Sequence, residues 1–261
     1  MRALLSSFAT LALLVTQAHA QATTPEAPPP PAPAPNVLDP LQEAKDLIEV
    51  APNTKENLNK AIAIYQAKLV DAALPAKVRV DGWADVARAY LRVGDLETAK
   101  EAKLSAYGKG RAAAQQGLKI DGKNAEALFW DTANLATTGR TNGVMNSLFM
   151  LGDLRRGLSN ILQIDPRHSY ARRTLGEIDH AVPGIAGGSD ERAEKTYLDI
   201  LRYDPSFTPA MVNLAIFFQD NGKKDEAKKW AQKALATRSS VPNDWLKFDK
   251  KDAQRILREL E

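Results

Sequence analysis

No cysteine occurs among the 261 residues, which excludes disulfides, thiolate zinc sites and the lipidated cysteine of bacterial lipoproteins. Histidine is nearly as scarce. Besides His19 there are only His168 and His180, and neither falls in a metal-ligand spacing such as H-x-x-x-H, so each reads as a surface or interhelical residue. No G-x-S-x-G elbow is present, because Gly157-Leu158-Ser159 runs on into a helical pattern. Gly108-Lys109-Gly110 and the stretch from Gly184 to Ser189 lack both the spacing of a phosphate loop and a preceding strand. In the latter, Ser189 followed by Asp190 and Glu191 reads as a helix N-cap, and those acids would repel a phosphate. Charge of one sign is also lacking: 35 Lys and Arg stand against 32 Asp and Glu, a formal +3. There is no strong field for nucleic acid or anionic lipid. The expectation is a non-enzymatic protein with no cofactor and no metal, whose partners are found by shape and local chemistry.

The long apolar run of a membrane anchor is missing too. Arg2 precedes an apolar stretch from Ala3 to Val15, shorter than the roughly 20 residues that span a bilayer. With Ala18-His19-Ala20 behind it, the segment 1–20 reads as a signal peptide cleaved after Ala20, which predicts a periplasmic protein with no membrane span after cleavage. Seven prolines between Pro25 and Pro35 then favour extended polyproline II, so 21–37 reads as a disordered tether and 38–261 as the folded domain.

From Leu38 onward the apolar spacing is helical, without sustained alternation or a strand-flanked Asn-Gly or Asp-Gly turn. The stretch from Tyr203 to Leu235 sets the pattern. Met211, Leu214, Ala215 and Phe218 fall at i, i+3, i+4 and i+7, Gly222 ends that helix, and Ala227, Ala231 and Ala234 give a second helix a small-residue face. Two antiparallel helices on a short turn need such small residues where their axes approach. This is the spacing of a tetratricopeptide (TPR) hairpin, with a period of roughly 34 residues.

Trp83, Val86, Ala87, Tyr90, Gly94 and Ala99 repeat the offsets of Met211, Leu214, Ala215, Phe218, Gly222 and Ala227. Aligning GLKIDGKNAEA, NILQIDPRHSYA and DILRYDPSFTPA superimposes Asp121, Asp165 and Asp204, and with them Ala127, Ala171 and Ala210. The aspartates lie 44 and 39 residues apart, so the array carries insertions: after Gly139 (TNGVMNSLFM), in VPGIAGGS, and in an overlong second helix after Gly94. An earlier pair covers about Pro40 to Glu49 and Lys55 to Val70, and Ala253, Ile256, Leu257 and Leu260 form the stripe of a C-terminal capping helix. The fold expected is all-α, a TPR-like right-handed superhelix of antiparallel helix pairs.

In such a superhelix the first helix of each pair lines the concave face, which here selects Arg88, Arg92, Phe129, Ala133, Tyr170, Arg173, Glu177, His180, Ile216 and Gln219. The helix from Ala125 to Thr138 is apolar on more than one side, so Phe129 and Trp130 need cover from several neighbours or from a ligand. In the insertion, Val144, Met145, Leu148, Phe149 and Leu151 form a broad apolar face, expected either to pack on the overlong helix or to border a cavity with Phe129 and Trp130. Met145 and Phe149 therefore join Trp130 among the candidate ligand- or partner-binding residues. Asp131, Arg172 and Asp179 stand where flanking repeats are apolar and must be paired, solvated or lining a cavity, since an unpaired buried charge is strongly destabilising.

The exported signal, the overlong helix, GKNAEALFW, GVMNSLFM, RRTLGEID, VPGIAGGS and the closing hairpin together resemble the TatT family, the periplasmic T component associated with tripartite ATP-independent periplasmic (TRAP) transporters. The resemblance runs from about Asp39 to the C-terminus. It implies a TPR-like protein that docks a periplasmic solute-binding protein and holds or passes a small apolar ligand, with no enzymatic activity. The sequence departs from that family in lacking a lipidation cysteine and in carrying the proline tether. The alternative is a general periplasmic TPR scaffold for peptide segments or other envelope proteins, with homo-oligomerisation open to either.

Overall fold

Four of the described helices begin where a side chain caps the backbone. In the computed structural model, which describes residues 41–261, Thr54 accepts from the Asn57 N–H at 3.2 Å, Asn124 from Ala127 at 2.9 Å, His168 Nδ1 from Ala171 at 3.2 Å and Ser189 from Arg192 at 3.2 Å. Each satisfies one of the N–H groups a helix start leaves unpaired. The signal-peptide and tether assignments lie outside the described residues.

The described chain is all-α. Five hairpins follow one another: α1 (Gln42–Glu49) with α2 (Lys55–Leu69), α3 (Ala76–Leu96) with α4 (Lys100–Ile120), α5 (Ala125–Asn142) with α6 (Val144–Ile164), α7 (Ser169–Ala181) with α8 (Asp190–Tyr203), and α9 (Thr208–Asp220) with α10 (Lys224–Ala236). A short turn α11 (Pro242–Asp244) and a π-helical turn at Trp245–Asp249 lead into α12 (Lys250–Glu259), which packs on α10 and α9 as a cap. This is a TPR-like superhelix. No helix among the described residues is long and apolar enough to cross a membrane.

The aligned aspartates have one local job. Asp121, Asp165 and Asp204 follow α4, α6 and α8, and the carboxylate of each accepts the backbone N–H two residues on, at 3.0, 2.9 and 3.1 Å. These Asx turns swing the chain from one hairpin into the next. The alanines that coincide with them, Ala127, Ala171 and Ala210, are fully buried at the start of the following helix.

Three register details differ from the sequence expectation. Gly222 is a turn residue with φ of 71°, but Gly94 and Gly139 lie within α3 and α5. They serve close packing: a Cβ at Gly94 would sit 2.3 Å from the Tyr107 ring and one at Gly139 3.0 Å from the Met150 sulfur. Because α3 continues to Leu96, Ala99 becomes the N-cap position of α4 and is exposed, whereas Ala227 is fully buried. Finally, the extra length is not confined to one helix, since α3, α4 and α6 each have 21 residues and α5 has 18, against 13 for α9 and α10. The segment read as an insertion after Gly139 is the end of α5, the turn at Gly143 with φ of 105°, and the start of α6.

The loop 182–189 is closed over Asp179. Ser189 N–H donates to the Asp179 carbonyl at 2.8 Å, Arg155 and Arg192 both reach the Gly187 carbonyl, and a Cβ at Gly188 would fall 1.6 Å from the Val182 oxygen, so only glycine fits. The same two arginines bind the buried Asp179 carboxylate at 2.7 and 3.0 Å. Asp131 pairs with Arg111 at 3.2 Å, and Arg172 donates to the Pro166 carbonyl at 2.9 Å. All three out-of-pattern charges are thus partnered, as burial requires.

Candidate functional site

The concave wall is built by α3, α5 and α7, whose lengths and Asx-turn spacing bring Arg88, Trp130 and Tyr170 to one cavity of about 420 Å³. Glu49, Asp85, Glu126 and Asp244 also line it. The lining sets these charges beside apolar surface from Ala84, Trp130, Val241 and Pro242, and the charges are wired to one another. Arg88 binds Asp85 at 2.8 Å and Glu49 at 3.0 Å, Tyr65 donates to Asp85 at 2.7 Å, and the Arg88 guanidinium stands 6.0 Å over the Trp130 ring. Burial raises the Asp85 carboxyl above its ordinary value, against the opposing pull of Arg88 and the Tyr65 hydroxyl. For Glu126 the balance is reversed: burial would raise it, but His168, 3.4 Å away, holds it low. His168 Nε2 is itself buried, and the Glu126 carboxylate is the acidic group beside it.

The chain's own segment from Ser240 to Asp249 lies across this wall. Asp244 accepts from Arg92 at 2.6 Å and from the Tyr170 hydroxyl at 2.5 Å. Lys247 donates to the Ile48 carbonyl at 2.7 Å, and Arg92 reaches the same oxygen at 2.8 Å. Arg173 contacts Asp249 at 3.3 Å while holding Glu177 at 2.9 Å and Asn213 at 3.0 Å. Phe248 receives the Arg92 guanidinium 5.3 Å over its ring. Trp245 is buried against Met211, Val212, Ala234 and Ala253. The crossing ties the first and last hairpins together.

Burial shapes the ionisation of this contact. It lowers Arg92, with the nearby Arg88 charge adding to the effect, and lowers Lys247. It raises the Tyr170 hydroxyl, reinforced by the Asp244 charge, and pushes the Asp249 carboxyl up to about 6 although Arg173 works the other way.

Of the residues selected from sequence, Arg88, Arg92, Trp130, Tyr170, Arg173 and Glu177 converge on this wall. Phe129 lies behind it, buried, with ring centroids 5.0 Å from Trp130 and 6.0 Å from Tyr170. His180 is elsewhere, hydrogen-bonded to Asp190 on α8 and Asp220 on α9, each at 3.0 Å. Ile216 packs with the apolar clusters around Met211 and Ile256, and Gln219 donates to Glu259 of α12 at 2.9 Å. Met145 and Phe149 are outside the cavity, 63% and 80% exposed at the start of α6. Neither arrangement expected for the insertion, packing on α4 or bordering a cavity with Phe129 and Trp130, describes a side chain as exposed as Phe149. The residues that sequence reasoning did not select are Glu49, Asp85, Glu126, Asp244, Lys247 and Asp249. For the last three, the only signal was the acid-aromatic run NDWLKFD between the last hairpin and its cap. Among the described residues no cluster suited to a metal ion is present.

Comparison with known proteins supports the repeat. Residues 208–240, the hairpin of α9 and α10, match the tetratricopeptide repeat family. The structure is similar to that of TTC0263, a thermophilic TPR protein from Thermus thermophilus, with a TM-score of 0.61 and 15% identity over 85% of this chain and 97% of that one. A weaker likeness is to MamA, with a TM-score of 0.40 and 20% identity over 69% of this chain and 88% of that one. A search of curated proteins finds no match.

Proposed function

We propose that the protein, a TPR-like scaffold by its fold, holds a segment of a partner protein against the wall of α3, α5 and α7. The observation that carries this is the wall's hold on a segment of the chain itself: Arg92, Tyr170 and Arg173 engage the carboxylates of Asp244 and Asp249. Planar guanidinium and phenol donors set on rigid helices are suited to recognising carboxylates in extended or single-turn peptide. On this reading the export signal makes the partner an envelope protein of the periplasm, and the TatT resemblance makes a TRAP-type solute-binding protein the first candidate.

A second docking position is favoured by one observation. Val144, Met145 and Phe149 are 76%, 63% and 80% exposed on neighbouring turns of α6, an apolar patch of the kind that marks contact surfaces. It offers a foothold for the small apolar ligand of the transporter reading, because it carries no charged group, whereas the cavity sets carboxylates and Arg88 beside its apolar surface.

The two positions are separated by placing a photo-crosslinking amino acid at Trp130 or at Phe149 in the cells that make the protein and identifying the products by mass spectrometry. The groove reading expects a defined envelope protein joined through position 130. Crosslinks from position 149 alone would transfer the function to the α6 patch, and none from either would overturn both.

A further inference from the structure

We propose that the segment 240–249 is an internal ligand that latches the groove shut, and that the partner displaces it by presenting the same chemistry: two carboxylates five residues apart with aromatic side chains between. This rests on the groove reading above. The side chains that the segment turns toward the wall are the wrong ones for a purely structural crossing. A crossing built only to join α10 to α12 would turn its apolar groups inward, yet Leu246 and Phe248 are 59% and 40% exposed while Asp244, Lys247 and Asp249 make the inward contacts. Trp245 is the segment's buried apolar anchor, and it packs on α9 and α10 rather than on the wall.

Buried contacts of charge with charge and of charge with carbonyl cannot be left open, but an incoming group of the same charge and geometry can take them over one for one. The segment's π-helical turn points the same way, since such turns are short irregularities that cluster at functional positions.

Release of the segment also defines what replaces it. Arg88 would keep Asp85 and Glu49, and Arg173 would keep Glu177, but Arg92 would be left with the Ile48 carbonyl as its hydrogen-bond partner. A buried guanidinium beside a second arginine calls for a carboxylate, and the Tyr170 hydroxyl stands ready to share it. The cavity next to Asp244 gives an incoming chain room to approach before the latch has left.

The test uses a labelled synthetic peptide with the sequence of residues 241–249, VPNDWLKFD, titrated by fluorescence anisotropy into the full-length protein. Asp244→Ala removes the central contact, and Lys247→Ala weakens the latch without touching Arg92, so that a folding failure of the first variant leaves the second informative. The expected result is at least tenfold tighter peptide binding by Asp244→Ala than by the wild type, a smaller gain for Lys247→Ala, and loss of the gain when Arg92→Ala is added to Asp244→Ala. Equal affinity for wild type and both folded variants would overturn the latch and leave the groove reading standing. Binding to none of them would overturn both.

Discussion

At Ala227 and Ala99 two identical side chains, placed at equivalent offsets by the sequence, have opposite environments. Ala227 is fully buried at the close approach of α9 and α10, whereas Ala99 is exposed at the N-cap of α4. Adding methylenes to a packed contact forces neighbours off their rotamers, so Ala227→Leu is expected to destabilise by about 1–3 kcal/mol, while Ala99→Leu stays within about 0.5 kcal/mol of wild type. Urea denaturation midpoints check both, and equal losses would contradict the register of α4. The matching offsets mislead at Ala99 because Gly94 is not a turn residue. A glycine in sequence does not say whether it supplies a positive φ or makes room for a ring, and Tyr107, which fills the space at Gly94, lies thirteen residues away in the next helix. The aspartates were more legible, since an Asx turn is a local structure decided within three residues. Arg88, Arg92, Tyr170 and Arg173 were legible because the repeat alignment puts them on first helices of their pairs, which line the inner face of a TPR array. Asp244 and Asp249, the partners of Arg92, Tyr170 and Arg173, were not, because no local rule reports a contact across 152 or 76 residues.

At the scale of elements, α7, α8 and α9 are joined by His180, which bridges Asp190 and Asp220. Burial alone would lower the imidazolium, but the hydrogen bonds it donates to Asp220 and Asp190 outweigh it and raise His180 above its ordinary 6.5. A raised histidine binds its proton more tightly folded than unfolded, so its stabilising contribution is complete below pH about 6.5 and is lost as pH climbs through the raised folded value. The wild-type melting temperature is therefore expected to fall between pH 6 and pH 8 by more than that of His180→Gln, measured in the same buffers. Parallel curves would show that the bridge carries no pH dependence. The start of α6 makes a different prediction. Phe149 is 80% exposed, so Phe149→Ala is expected to alter the unfolding free energy by less than about 0.5 kcal/mol, far below the cost of truncating a core phenylalanine. A core-sized loss by chemical denaturation would mean that this end of α6 is covered in solution.

Across the whole molecule, the segment 240–249 makes a superhelix that would otherwise be a stack of nearest neighbours into a closed arrangement, coupling α1 and α3 to α9 and α12. Its ionisation gives the closure a pH dependence. Asp249 is 4% exposed, and burial pushes its carboxyl up to about 6 from an ordinary 3.8, with Arg173 opposing. Between those values the folded protein keeps a proton that the unfolded chain has released, so this group's contribution to stability diminishes as pH rises from about 4 to 6. The size is on the order of 1–3 kcal/mol at pH 7. Asp249→Asn holds the neutral form at every pH and removes that slope. Relative to wild type, the variant is expected to gain stability steadily from pH 4 to pH 6 and to hold a constant difference above pH about 7, as read from urea unfolding at half-unit intervals. A difference that stayed flat would mean that Asp249 ionises in the fold as it does in water. One that shrank with rising pH would mean that Arg173 outweighs burial, making the ionised pair a clasp that acid opens.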